Sequence, residues 1–157
     1  MNTRIKLLGL AFLGMLIFSI SCSKEKQEEI EESLGTEFTV EASGGDSWDV
    51  TTVTAKTEGS AFVIKATKDN KEVVLTIKEF AKGKYHFNDT LNFATYTSDK
   101  TDATKLYNST NSADNFIEIL NIHSDGVKFD GSYSFLATDE NNDVQTINGA
   151  WINVSKQ

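Results

Sequence analysis

The sequence predicts an all-β domain, an antiparallel meander of about nine strands closed as a barrel or folded into two packed sheets. Three observations carry this expectation. From Phe38 onward apolar residues recur with a period of two rather than 3.6. The runs are short, rich in Thr, Val, Ile and Phe, and broken by turn residues roughly every eight to twelve positions. Proline is absent from all 157 residues, so turns fall to Gly, Asn and Asp, which tolerate positive φ. No segment reads as a long amphipathic helix.

The chain opens on a different pattern. Arg4 and Lys6 precede an apolar run over 7–20 that ends in Phe18-Ser19-Ile20-Ser21-Cys22 and holds the sole cysteine. A charged start, a short apolar stretch and a small residue before the cut make a secretory signal. The run is shorter than the roughly 20 residues a membrane span requires. Its end looks like a bacterial lipobox, with Ser19 standing where Leu is usual. Residues 1–21 are therefore expected to be removed, leaving Cys22 as an acylated N-terminus, its sulfur carrying diacylglycerol and its α-amino group a palmitate-type chain. The stretch 22–35 follows as a solvated acidic tether, because five Glu and two Lys with only Ile30 and Leu34 apolar cannot bury enough surface to order themselves. The remaining 36–157 has the length of one β-domain.

Within that domain the first unit covers 51–77. Two-residue turns at Glu58-Gly59 and Asp69-Asn70 would set Val53 opposite Ile64, Ile64 opposite Leu75, and Phe62 opposite Ile77. Three strands then share an apolar face. The other face carries Thr52, Thr54, Lys65, Thr76 and Lys78, with Val63 and Val74 as exceptions, and is expected to be half wet. Residues 83–87 read as a strand with Tyr85 and Phe87 on one side, and 91–96 as another, their registers open. The Ser, Thr, Asn and Asp of 97–113 predict mostly loop, with a short strand around Lys105-Leu106-Tyr107. In the last third a turn at Asp125-Gly126 sets Ile122 opposite Phe129, Leu120 opposite Gly131, Glu118 opposite Tyr133 and Phe116 opposite Phe135. A second turn within 139–143 returns the chain through Val144 to Val154. A one-residue slip would carry Phe129, Tyr133 and Phe135 into solvent, so the register of this strand is expected to be firm.

Charge and chemistry exclude several classes. The net charge is −8, and loss of 1–21 removes Arg4 and Lys6 but no acid. Nucleic acid is not an expected partner, since phosphate affinity comes from Lys and Arg replacing counterions. With Cys22 assigned to lipid no disulfide can form, and packing alone must stabilise the domain. His86 alternates with Tyr85 and Phe87 and points outward; His123 sits beside a turn. Neither has a second ligand at metal spacing, so both are expected as surface histidines and no metal or other cofactor is expected. The acidic loop 139–143 lacks the glycine and terminal Glu of a calcium loop and reads as a solvated turn. No serine lies in a Gly-x-Ser-x-Gly setting, no nucleophile is paired with a base, and no catalytic residue is assigned. The sharpest polar anomaly is Glu118. In the register above it shares a face with Phe116, Leu120, Ile122, Tyr133 and Phe135, and Tyr133 could donate its hydroxyl to it. The pair then either orients a ligand in a polar pocket or hydrogen-bonds at the rim of a filled core; alternatively a bulge turns Glu118 to solvent and brings Ile117 and Ile119 inward.

Gly45-Asp46-Ser47-Trp48, Gly83-Lys84-Tyr85, Gly131-Ser132-Tyr133-Ser134-Phe135 followed by Ala137, and Ile147-Asn148-Gly149-Ala150-Trp151 occur in this order across nearly the whole domain. Together with the lipobox they resemble an uncharacterised family of Bacteroidota lipoproteins, a domain of unknown function in which Phe usually stands where Tyr133 and Trp151 are. The resemblance implies a small antiparallel β-domain behind a lipid anchor, with no known activity and so no catalytic residues to carry over. In such lipoproteins an acidic run after the acylated cysteine resembles an export signal to the cell surface, which Lys26-Gln27-Glu28-Glu29 loosely matches. Asp89-Thr90-Leu91 likewise resembles their O-glycosylation acceptor, with Thr90 the candidate residue.

These readings converge on a lipid-anchored lipoprotein of the outer membrane, displayed at the cell surface. It is expected to be a non-enzymatic module that contacts another envelope protein or a glycan. The alternative is a barrel that holds a small apolar ligand. A filled core favours the first, and Phe62, Phe116, Phe129, Tyr133 and Phe135 are expected to converge on inner faces to fill it.

Overall fold

The computed structural model of the chain describes residues 35–87 and 91–157. The signal, Cys22 and the tether up to residue 34 lie outside the described residues, and so does Thr90. Eleven strands form one sheet: β1 (Glu37–Ala42), β2 (Asp46–Asp49), β3 (Thr52–Glu58), β4 (Ala61–Lys68), β5 (Lys71–Ile77), β6 (Gly83–His86), β7 (Phe93–Thr97), β8 (Leu106–Ser109), β9 (Phe116–Ile122), β10 (Lys128–Thr138) and β11 (Val144–Ser155). A short 3₁₀ turn at Ala103–Lys105 precedes β8. Nine strands make the main path, in the order β2-β1-β11-β10-β8-β7-β5-β4-β3, every pairing antiparallel. The expected all-β meander is therefore present, with the N-terminal hairpin added beside the last strand.

The sheet curls until its far edge meets its last strand. Ala55 of β3 bridges Lys156 in parallel fashion, and the Gln157 N–H donates to Ala55 C=O at 2.7 Å. The other end is drawn in by Asp46, which accepts from Tyr96 of β7 (2.9 Å) and pairs with Lys71 of β5. Curling turns every second residue inward. The pattern is clearest in β1, where Phe38, Val40 and Ala42 are buried between exposed Glu37, Thr39 and Glu41, and in β10, where Phe129, Gly131, Tyr133, Phe135 and Ala137 are buried. Trp151 lies among them, stacked on Phe38 at 5.7 Å and 13°, with Tyr133 at 6.2 Å and Phe129 edge-on at 6.0 Å. Aromatic pairs at such spacing add about 0.5–1.5 kcal/mol beyond their area. The interior is filled with rings. Phe116 is the exception to the expected convergence: it is half-buried on the outer side, under the Lys84 ammonium at 3.6 Å.

Of the two uninterrupted hairpins of the first unit, one keeps the expected register. Ile64 faces Leu75 and Phe62 faces Ile77 across the Asp69-Asn70 turn, Asp69 taking φ +52°. The preceding hairpin turns one residue later, at Gly59-Ser60, so Ile64 faces Ala55 and Val53 faces Ala66. A shift of two preserves which face is apolar. Thr76, expected on the wet face, is buried beside β7.

The β9–β10 hairpin departs more. Ile122 does face Phe129, but Gly131 then faces Ile119, Ser132 faces Glu118, Tyr133 faces Ile117 and Ser134 faces Phe116. Leu120 is the extra residue and is 47% exposed. A bulge of this kind reverses the faces of every residue beyond it. Ile117 and Ile119 are thereby buried, and Glu118 is turned outward. On the other side of β10 the register also shifts between Phe129 and Gly131, where Asn153 of β11 adopts φ +55°. Both irregularities meet at Asp130. Its carboxylate accepts from the Asn153 N–H (2.9 Å), from His123 Nε2 (3.0 Å) and from Asn121 Nδ2 (3.4 Å). Gly131 is obligatory here, because a Cβ would collide with the Trp151 ring and with Glu118 C=O.

Candidate functional site

Two strands, β6 and β9, leave the main path. Among the described residues β6 pairs with β9 alone, and β9 with β10 and β6. Phe87 N–H donates to Asn115 C=O at 3.2 Å, so by the alternation of an antiparallel ladder Gly83 and Tyr85 also bond toward β9. The N–H and C=O groups of Lys84 and His86 then point away from it. They meet an open polar pocket of about 390 Å³ whose other walls are Lys78, Glu79, Ala81 and Lys82 of the β5–β6 connection, with Asn92 at its end.

Each wall is anchored. Phe80 packs into the core against Phe62 (4.7 Å) and Phe129 (5.1 Å), which holds the connection to the body of the sheet. Tyr85 donates to Ala81 C=O at 2.8 Å; burial above all, then nearby Glu79, pushes its phenol above the ordinary value, and it stays protonated. Asn92, 5% exposed, spans the gap: its Oδ1 accepts the Lys78 N–H and its Nδ2 donates to His86 C=O, both at 3.1 Å. A buried amide that satisfies two strand ends ties the two walls together.

The pocket is locally basic in an acidic chain. Lys78, Lys82 and Lys84 fall within seven residues, Lys78-Glu79-Phe80-Ala81-Lys82-Gly83-Lys84. Lys84 is shared between Glu118 at 3.8 Å and the Phe116 ring at 3.6 Å. Among the described residues neither Lys78 nor Lys82 has an acidic partner within ion-pair distance. This local charge reversal is legible in the sequence, in a stretch that carries no nucleophile or metal-ligand pattern.

The pair expected to share a site is separated. Glu118, read as facing the core beside Tyr133, lies on the outer face across from Ser132 and Lys84, its side chain 30% exposed. Tyr133 is 2% exposed, stacked on Trp151, and donates to Thr39 C=O at 3.0 Å; burial raises its phenol well above the ordinary value. The bulge at Leu120 causes the separation, and the arrangement is the alternative in which a bulge turns Glu118 outward and brings Ile117 and Ile119 inward. His86 is exposed, its Nδ1 2.6 Å from Ala113 C=O. His123, expected at the surface, is instead largely enclosed, its side chain 7% exposed and paired with Asp130. In the 139–143 loop Asp139 is buried and its Oδ1 accepts the N–H groups of Asn141 and Asp143, so it shapes the turn rather than facing solvent.

Comparison with protein families matches residues 38–155 to the family described as Domain of unknown function (DUF6252). No curated protein matches the chain.

Proposed function

This chain belongs to the DUF6252 family, whose description assigns no activity, and we propose that it is a lipid-anchored, non-enzymatic binding module of the cell envelope. Cys22 carries the anchor, the tether over 23–35 sets the domain away from the membrane, and the domain meets its partner, an envelope protein or a glycan, on its outer surface. The protein is then an outer-membrane lipoprotein of Bacteroidota type, displayed at the cell surface.

The observation that favours this reading over an apolar-ligand carrier is the filled interior. Trp151, Tyr133, Phe129, Phe135, Phe62 and Phe38 occupy the space a carrier would leave for its cargo. The pocket described above is polar and opens outward. One acyl chain holds a protein to a membrane only marginally, so anchoring depends on the paired chains of a diacylglycerol. Cys22→Ala should leave the precursor uncut and release the protein from the outer-membrane fraction. Retention of that variant with the membrane would overturn the anchor. Displacement of a fluorescent fatty acid by wild-type protein would point back to the carrier.

A further inference from the structure

We propose that the pocket between β6 and the β5–β6 connection binds an acidic saccharide, a polyhydroxylated ring that carries a carboxylate. The inference rests on the reading of the domain as an outward-facing binding module and names its site and ligand class.

Three features carry it. The first is charge: Lys78 and Lys82 stand on the pocket wall with no acidic partner among the described residues, in a chain of net charge −8. Cations left uncompensated on an acidic protein attract an anion. The second is the mixture of polar groups. Glu79 lines the same pocket as the lysines. A bare sulfate offers no hydroxyl donor to the Glu79 carboxylate. A sugar uses it, since ring hydroxyls donate to a carboxylate while the ligand's own carboxylate meets the ammonium groups. The third is size and preparation. About 390 Å³ exceeds what an inorganic ion fills and falls within the range of small-ligand sites. Phe80, Tyr85 and Asn92 hold the walls in place before any ligand arrives, which lowers the ordering cost of binding. The outward N–H of Lys84 on the edge of β6 adds a donor fixed by the backbone.

The test uses the full chain in detergent, with trigalacturonate as probe, galactotriose as its neutral counterpart and tetraglutamate as an acidic peptide. Calorimetry should show binding of trigalacturonate that weakens as salt rises. The Lys78→Glu/Lys82→Glu variant should lose about tenfold or more in affinity. Lys56→Glu/Lys105→Glu, which makes the same charge change away from the pocket, should bind as wild type does. In amide NMR spectra the Gly83 N–H and the Asn92 side-chain amide should shift on titration. Unchanged melting temperatures would show that both variants are folded. The proposal is overturned by absence of trigalacturonate binding, by equal affinity for galactotriose, by stronger binding of tetraglutamate, or by equal losses in the two double variants. Since membrane retention through Cys22 is scored in a separate assay, any of these results would leave the anchored-module reading standing.

Discussion

Asp130 joins three elements through one carboxylate, and its chemistry fixes both irregularities of the sheet. Burial pushes its pKa up, but the Asn153 N–H, His123 and Asn121 outweigh burial and hold it below the usual carboxylate range. A depressed folded-state pKa means that the stabilisation is complete above the unfolded value, about 3.9, and is lost as pH falls through the folded one. Asp130→Asn should therefore cost about 1.5–3 kcal/mol at neutral pH, the range for hydrogen bonds to a charged group. The gap between variant and wild type should narrow below about pH 4. Urea titrations at pH 7 and pH 3 check this, and an equal gap at both would show that the charge is immaterial. His123 was expected at the surface because a hairpin neighbour usually is. It is enclosed because the Asp130 carboxylate lies across the hairpin from it, at 3.0 Å.

At the scale of the strand, β9 shows how one added residue decides which side chains are core. Without the Leu120 bulge Glu118 would share the interior with Tyr133; with it, Glu118 joins Lys84 and Phe116 outside and Ile117 and Ile119 fill the space. The two arrangements give opposite mutational outcomes. Glu118→Lys should cost about 1 kcal/mol or less, as expected for a partly exposed ion pair. Ile117→Lys should cost about 3–5 kcal/mol or unfold the domain, because it places an unpaired charge in the core. Thermal denaturation of both variants separates the cases, and a larger loss for Glu118→Lys would reverse the assignment of faces. β10 keeps its alternation through eleven residues because both bulges lie in its neighbours. The slip that would expose Phe129, Tyr133 and Phe135 is absorbed elsewhere.

For the whole molecule the decisive contacts are the few that turn a curled sheet on itself. Among the described residues Ala55 bridges Lys156, supported by Gln157 N–H to Ala55 C=O and Lys156 N–H to Val127 C=O at 2.9 Å. Removing Lys156 and Gln157 should leave the domain folded, since the aromatic core lies behind the seam, but should loosen β3. Hydrogen exchange of amides over 52–58 should then quicken, while those of β10 stay protected. Uniform protection in both strands would show that the seam is held by side-chain packing alone. The Asp46 latch closes the opposite end: chiefly the hydrogen bond from Lys71, against the cost of burial, lowers its pKa, and Tyr96 adds to the effect.

By itself the sequence determined what is local. Alternation of apolar residues marked the strands and their faces, because a pleated chain turns successive side chains to opposite sides whatever lies beyond it. Gly, Asn and Asp marked turns, since a positive φ is cheap for them. The lysines over 78–84 stand in the sequence too, and so does the pattern from which a lipobox and an acidic tether are expected; that pattern up to residue 34, and Thr90, lie outside the described residues. Tertiary structure alone decided the registers of β9 and β11 and the departure of β6 and β9 from the main path. The polar pocket beside β6 follows from that departure. The reason is physical: a bulge is held by partners distant in the chain, here Asp130 reaching Asn153 and Trp151 pressing on Gly131. No pattern within a single strand encodes such a partner.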